Sequence, residues 1–575
     1  MIKLFRFLKP YRLSLLIVFV LTFAQSLANL YLPTLMADIV DNGIVKGDIP
    51  YIYEVGGIML LVTIVGAACA VAASFFSARI AIGFGKIIRA MIFKHVIRFS
   101  LHEYDEVSTA SLITRTTNDT TQVQQVLVII LMMMISAPLM AIGGIILAIQ
   151  QDATLSWVLV AAVPILCFAI YLIMSKAIPL FRLIQVKLDK LNLILDEGLT
   201  GVRVIRAFDR TQHEERRFDE ANLDLTNTYI TVNRIVAFMM PVMMLVLNMT
   251  SIAILWFGSI RINAGDMQVG ALIAFLQYAM QILFAMLMVS MLFIMLPRAA
   301  ASATRINEVL AMKPGIKDAE QVNDNDTQRG YVEFENVTFN YAGAEEPALA
   351  NVSFRAQPGQ VTAIIGGTGS GKSTLISLIP RFYDVQSGRV LVDGVDVREM
   401  SQDHLRSKIG LVPQKAVLFS GTIAENIRYG KEDATDEEVR HAADVAQATE
   451  FIMKMQDGFD SVIAQGGTNV SGGQKQRISI ARALVRRPEI YLFDDSFSAL
   501  DFKTDARLRA ALRKETRDAT VIIVAQRVST VMDADQIIVL DDGHVAGIGS
   551  HHELMQTCEV YREIVSSQLS LEEIA

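Results

Sequence analysis

The segment Gly366-Gly367-Thr368-Gly369-Ser370-Gly371-Lys372-Ser373 follows the apolar run Val361-Thr362-Ala363-Ile364-Ile365 and precedes Thr374-Leu375-Ile376-Ser377-Leu378-Ile379. A strand therefore feeds a glycine loop that opens a helix, the context of a P-loop. Glycines let consecutive backbone N–H groups turn inward on a phosphate chain, and the helix N-terminus adds partial positive charge. In such a loop Lys372 reaches the β- and γ-phosphates and Ser373 ligates Mg²⁺. Gly366, Gly367, Thr368, Gly369, Ser370, Gly371, Lys372, Ser373 and Thr374 are thus the candidate phosphate-binding residues. Ile490-Tyr491-Leu492-Phe493-Asp494 reads as a second strand, ending in the carboxylate that a Walker B Mg²⁺ site requires. Val332 to Tyr341 reads as a strand ending in an exposed aromatic, and Val470-Ser471-Gly472-Gly473-Gln474 as a serine-glycine turn opening a helix.

The elements that must carry these residues fall into two parts. At 575 residues the chain is too long for one domain, and 52% hydrophobic residues with a mean hydropathy of +0.39 exceed the content of ordinary soluble proteins. Long uncharged runs fill the stretch up to about Pro297, whereas the rest alternates charged and apolar segments. The expected fold is an α-helical membrane domain with six transmembrane helices and long cytoplasmic extensions, followed by an α/β P-loop NTPase domain. The expected boundaries are 1–310 for the membrane domain, 311–330 for a linker and 331–575 for the nucleotide domain. Net charge of -7 and pI near 5.7 leave no basic footprint for nucleic acid. Cys69, Cys167 and Cys558 carry no metal-ligand spacing and read as free thiols.

Runs long enough to cross a bilayer lie at about 14–36, 54–78, 124–149, 154–176, 233–260 and 268–297. Segments 79–115 and 176–234 are rich in Lys and Arg, whereas 37–53, 149–154 and 261–267 hold only Lys46 and Arg261. The positive-inside rule puts both termini and both long basic loops in the cytoplasm, with the protein in the cytoplasmic (inner) membrane. The basic, amphipathic stretch Met1 to Arg12 reads as an interfacial helix. Spans five and six are rich in methionine, among them Met243, Met249, Met280 and Met291. Flexible thioethers suit a cavity that repacks around apolar ligands, and equally suit ordinary packing. Gln25, Asn29, Asn248, Gln277 and Gln281 are amides at bilayer depth, expected to face the bundle interior. Full charges are missing from the depth of the spans, so an ion-coupled mechanism has no carrier.

The serine-glycine turn just ahead of the Walker B strand, together with the P-loop and six spans, resembles the ABC transporter family over essentially the whole chain, as a half-transporter of the exporter class. The resemblance implies two nucleotide domains sandwiching two ATP molecules. By similarity Tyr341 would stack on adenine, and Gln414 would be the Q-loop residue near Mg²⁺. Asp494 would hold Mg²⁺ through water, while Ser471, Gly472, Gly473 and Gln474 would clamp the ATP held by the partner. Ser498 to Asp501 matches the D-loop. Leu112 to Asp119 and Glu197 to Phe208 would lie near two coupling regions that press on nucleotide domains.

Two positions depart from that family's pattern. The glutamate acting as general base after Asp494 is replaced by Asp495, one methylene shorter, and the histidine sensing the γ-phosphate by Gln526. Positioning decides phosphoryl transfer, so this pair should lose ~10²–10⁴ of rate while binding survives. The combination resembles the degenerate-site subunit of heterodimeric bacterial exporters of multidrug type, paired with a second, non-identical half-transporter. Membrane lipid and a small apolar or amphipathic compound are the other expected partners, with ATP and Mg²⁺ as cofactors. The alternatives are a homodimeric lipid flippase with slow hydrolysis, and an ATP-gated regulator or channel. A channel needs a continuous polar lining, which these spans lack.

Overall fold

The computed structural model describes residues 1–324 and 328–568, apart from the side chains of Ile2 and of 290–294. The methionine at 291 and parts of the expected linker and C-terminal segment fall outside that description. The chain divides into two compact units: residues 1–97 with 110–312, and residues 98–109 with 313–575.

In the first unit six helices are long and apolar enough to cross a membrane. We label the helices α1 (Arg12–Asp38), α2 (Ile49–Val96), α3 (Leu101–Val107), α4 (Thr120–Gln151), α5 (Trp157–Thr200), α6 (Val202–Ala207), α7 (Thr211–Ala237), α8 (Met239–Asn263) and α9 (Val269–Ala311). With 48 residues in α2 and 44 in α5, the helices run about 70 Å at 1.5 Å per residue, against a hydrocarbon core of about 30 Å. Each therefore continues far past the bilayer.

Their core is built from Leu30, Ala148, Ile254, Phe275, Tyr278 and Ile282. Tyr278 is fully buried, its hydroxyl 2.6 Å from Thr34 Oγ1 and donating to Leu30 O at 3.1 Å. Of the expected interior amides, Gln281 donates to Asn29 O at 3.1 Å. Asn248 instead stands exposed on α8. The turn before α4, Arg115–Asp119, is a π-helical segment. It swings Asp119 into α9, where Ser302 Oγ and Arg305 Nε donate to it at 2.9 and 2.8 Å. Helices α5 and α7 close as a hairpin through Ile184, Leu225 and Val232. At its tip α6 has no buried residue, and Val204 and Phe208 are exposed.

The residues expected near the first coupling region, Leu112 to Asp119, form helical turns leading straight into α4. A separate short helix, α3, precedes them in the chain. A capping box between Ser100 and Glu103 starts it, and Ser108, at φ 60°, ends it. Buried Glu103 also accepts from Gly315 N at 3.2 Å, which ties α3 to the second unit.

The second unit is an α/β domain. Its longer strands are β1 (Val332–Phe339), β2 (Leu349–Ala356), β3 (Val361–Gly366), β4 (Ser387–Val392), β5 (Ile409–Val412), β6 (Ile490–Asp494), β7 (Thr520–Val524), β8 (Gln536–Asp541) and β9 (His544–Gly549). Strands β2, β1 and β4 form an antiparallel sheet closed by the short strand Val395–Asp396. A second sheet has the order β9-β8-β3-β7-β6-β5, parallel except for β9. Its central strands read as continuous apolar runs because both faces are covered. The helices that concern the site are α10 (Lys372–Leu378), α11 (Gly472–Val485), α12 (Phe502–Glu515), α13 (Val528–Val531) and α14 (Glu559–Gln568).

Candidate functional site

Parallel register brings the site together. Val524 on β7 pairs with Ile364 on β3 and with Asp494 on β6, and Leu540 on β8 pairs with Gly366. The carboxyl ends of β3, β6 and β7 therefore emerge side by side, the edge where open α/β sheets bind ligands. The pairing continues one step beyond the strands, since Asp495 N donates to Val524 O at 3.0 Å and Ala525 N to Ile364 O at 3.1 Å.

The loop after β3 needs its glycines. Gly369 and Gly371 lie at φ 87° and 93°, left-handed geometry that other residues resist. A Cβ on Gly366 would meet Leu540 O at 2.2 Å, and on Gly371 Ala348 O at 2.6 Å. Within this cradle Lys372 Nζ donates to the carbonyls of Gly366 and Gly367, at 2.9 Å to the former. Burial lowers the Lys372 pKa, a shift opposed by the nearby Asp495 and Asp494 carboxylates. An ammonium held by its own loop's carbonyls is poised for exchange onto phosphate oxygens, so the chain's residues fit a nucleoside triphosphate.

Ser373 Oγ donates to Asp494 Oδ1 at 3.0 Å. A hydroxyl from the first turn of α10 and a carboxylate from the end of β6 thus converge at one point, the oxygen donor set that suits Mg²⁺. Burial raises the Asp494 pKa, the Ser373 hydrogen bond lowers it and the Asp495 charge raises it. Asp495 follows at φ 44° and is nearly buried. Gln414 Nε2 donates to its Oδ2 at 3.4 Å, and burial again raises its pKa above the usual carboxylate range. Gln526 is exposed beside them.

Tyr341 lies two residues beyond β1, half exposed, its hydroxyl 3.0 Å from Thr374 Oγ1. Its ring stands edge-on to Phe339 and to Tyr383, with centroids 5.0 and 5.5 Å away. Tyr383 escaped the sequence reading because it sits over 40 positions from Tyr341 and belongs to no local pattern.

The serine-glycine turn is the N-terminus of α11. Ser471 N donates to Gln474 Oε1 at 2.8 Å and Gln474 N to Ser471 Oγ at 3.3 Å, a reciprocal capping box. Ser471 and Gly472 are exposed, and a Cβ on Gly473 would come within 3.0 Å of Ala499 O. This turn therefore packs directly on the loop Ser498 to Asp501.

The profile of the ABC transporter transmembrane region matches residues 15–286, and that of the ABC transporter residues 349–498. An uncharacterized ABC transporter ATP-binding protein of Mycobacterium tuberculosis is 46% identical over 98% of this chain and 97% of its own. The chain belongs to the ABC transporter family. It is a half-transporter, a membrane domain fused to an ABC ATPase domain. This domain binds ATP, normally with Mg²⁺, and couples ATP hydrolysis to transport. A putative multidrug export ATP-binding/permease protein of Bacillus subtilis is 31% identical over 98% of both chains. An ATP-dependent lipid A-core flippase of Vibrio parahaemolyticus is 27% identical over 98% of this chain and 96% of its own. Among solved structures, a bacterial Atm1-family ABC exporter with ATP bound superposes with a TM-score of 0.82 at 25% identity, covering 97% of this chain and 99% of that one. The ABC transporter described here is accordingly a multi-pass membrane protein with the exporter fold.

Proposed function

We propose that this ABC transporter is one subunit of a heterodimeric exporter that moves an apolar or amphipathic compound, drug-like or lipid, outward across the cytoplasmic membrane. In this reading its own nucleotide site holds ATP and hydrolyses it slowly. Lys372, Ser373, Asp494 and Tyr341 bind ATP·Mg²⁺, and Gln414 lies near the metal. Ser471 to Gln474 complete a second, competent site on the partner's P-loop. ATP closes the two nucleotide domains, the long helices turn the cavity outward, and hydrolysis at the competent site resets it.

The observation that carries this reading is the pair Asp495 and Gln526 at the shared strand edge. A general base must come within about 2.6–3.2 Å of the proton it takes, and a side chain one carbon shorter falls back from that reach. Asp495 is further restrained by Gln414, and Gln526 has no cationic form with which to meet a γ-phosphate. Lys372 and Ser373 keep the hydrogen bonds to the Gly366 carbonyl and to Asp494, which supports retained binding. For the cargo, support comes from an open apolar groove of about 850 Å³ between α5 and α8, lined by exposed residues including Trp157, Ile165, Leu245, Met249 and Phe257. The multidrug and lipid relatives point to the same chemistry.

The deciding experiment is ATPase and transport measured in proteoliposomes, first with this chain alone and then with the half-transporter that co-purifies with it. The chain alone should bind ATP with little turnover, and the pair should hydrolyse and transport. Robust ATPase from the chain alone would overturn the degenerate-site reading.

A further inference from the structure

The loop that carries Gln526 is held by a residue from the far end of the chain. Helix α13 begins at Val528 without a side-chain cap from Arg527. Its first N–H would lack an intrahelical partner. Gln568, the last described residue of α14, supplies one: Val528 N donates to Gln568 Oε1 at 2.9 Å, and Gln568 Nε2 donates to Gln526 O at 2.8 Å. One amide thus clamps both ends of the three-residue segment 526–528. The clamp has a rigid base, because Tyr561 and Val565 on the same helix are fully buried. Positions 561, 565 and 568 share one helical face, so burial of the first two aims the third at the loop. On its other flank the segment is tied by Arg527, which donates to Ser498 O at 3.2 Å and lies over the Phe502 ring.

We infer that Gln568 is a positioning residue for the γ-phosphate-sensing loop, fixing the backbone from Gln526 to Val528 and so the approach of the Gln526 side chain to nucleotide. The inference rests on the proposed placement of Gln526 beside the γ-phosphate. Gln526 is one of the two positions that depart from the family pattern, and the clamp places the C-terminal helix in control of how well this chain's site tells ATP from ADP. ADP, lacking the γ-phosphate, would still be bound by the P-loop and Tyr341 and would not depend on the clamp.

The test uses the full-length chain in lipid nanodiscs, with ATP and ADP each competing against a fluorescent nucleotide in the presence of Mg²⁺. Gln568→Ala should weaken ATP about fivefold, or about 1 kcal/mol, and leave ADP within about twofold. Gln568→Glu, which can still accept from Val528 N–H but cannot donate to Gln526 O, should fall between. Hydrogen exchange at the Val528 amide should speed up in Gln568→Ala and stay slow in Gln568→Glu. Equal loss of ATP and ADP affinity in Gln568→Ala marks a merely structural role and overturns the inference. So does an unchanged ATP/ADP ratio in that variant when Gln526→Ala lowers it. If Gln526→Ala itself leaves the ratio unchanged, the placement of Gln526 at the γ-phosphate falls, and the inference with it.

Discussion

If this chain's nucleotide site is slow, as proposed, replacing Asp495 by Glu and Gln526 by His should speed its turnover, at a measurable cost in stability. The added methylene advances the carboxylate by about 1.5 Å, enough to bring a base from outside its working range of about 2.6–3.2 Å to within it. General-base placement is worth ~10²–10⁴ in rate, which sets the ceiling on recovery. Asp495→Glu alone should gain about tenfold, because the longer side chain must first leave the hydrogen bond with Gln414. The double variant should gain at least about a hundredfold, some 2.7 kcal/mol in activation free energy. The cost follows from the backbone. Position 495 lies at φ 44°, a left-handed geometry that Asp tolerates better than Glu through local hydrogen bonding. A penalty of about 1 kcal/mol would lower the melting temperature of a domain this size by about 2–4 °C. The assays are steady-state ATPase of the full-length chain in nanodiscs at saturating ATP·Mg²⁺, and thermal unfolding of the same preparations. A wild-type chain that already turns over at about 10 s⁻¹, the median for enzymes, with no gain in the double variant, would refute the argument that Asp495 and Gln526 limit the rate.

Lys372→Ala should abolish photolabelling of this chain by an azido-ATP, since it removes the one buried ammonium in the phosphate cradle; retained labelling would place nucleotide binding elsewhere. In the proposed heterodimer Ser471→Ala should cut ATPase by ~10²–10³, the scale for losing a preorganised donor to developing charge, whereas Asp495→Ala should lower it only a few-fold. The reverse order would put hydrolysis at this chain's own P-loop. Asp494 and Asp495 both have raised pKa values in the folded, nucleotide-free domain, so the sign of their pH linkage is set. Their stabilisation is complete below the ordinary Asp value of about 3.9 and is lost as pH rises through the raised folded values. Mg²⁺ requires the ionised carboxylates, so the gain in melting temperature on adding ATP·Mg²⁺ should grow through the same window; a gain independent of pH there would count against Asp494 as the metal-side group.

The glycine loop, the strand edge and the serine-glycine turn are legible in the sequence because backbone geometry dictates their residue types. Glycine is favoured at φ 87° and 93° in the loop after β3, and the missing Cβ at Gly473 lets the turn sit against Ala499 O. The apolar runs of β3, β6 and β7 announce a parallel sheet, and parallel register then aligns their ends without further information. What the sequence hid depends on partners far along the chain. Helical periodicity runs through 79–119 with little sign that 98–109 leaves the membrane unit. The Ser100–Glu103 capping box is a local signal for α3, but the Glu103 bond to Gly315 is not. Tyr383 beside Tyr341 and Gln568 beside Gln526 are likewise contacts across long separations, with nothing local to mark them.

This division between backbone-dictated and side-chain-dictated residues also explains how a nucleotide site can lose turnover and keep its fold. The P-loop, Asp494 and the capping box at Ser471 each serve structure as well as ligand: Lys372 satisfies loop carbonyls, Asp494 accepts from Ser373, and Ser471 starts α11. Changes at these positions would disturb packing or hydrogen bonding before any chemistry was tested. Asp495 and Gln526 differ. The bonds that hold their main chains, Asp495 N to Val524 O at the sheet edge and Gln568 Nε2 of α14 to Gln526 O, involve no side-chain atom of Asp495 or Gln526. Their side chains can therefore vary at a cost of about 1 kcal/mol at the left-handed position 495, and in the proposed reading catalytic rate is the property most exposed to that variation. A subunit whose partner supplies the general base would be free to vary there while its signature turn, on which the partner's site depends, stayed constrained.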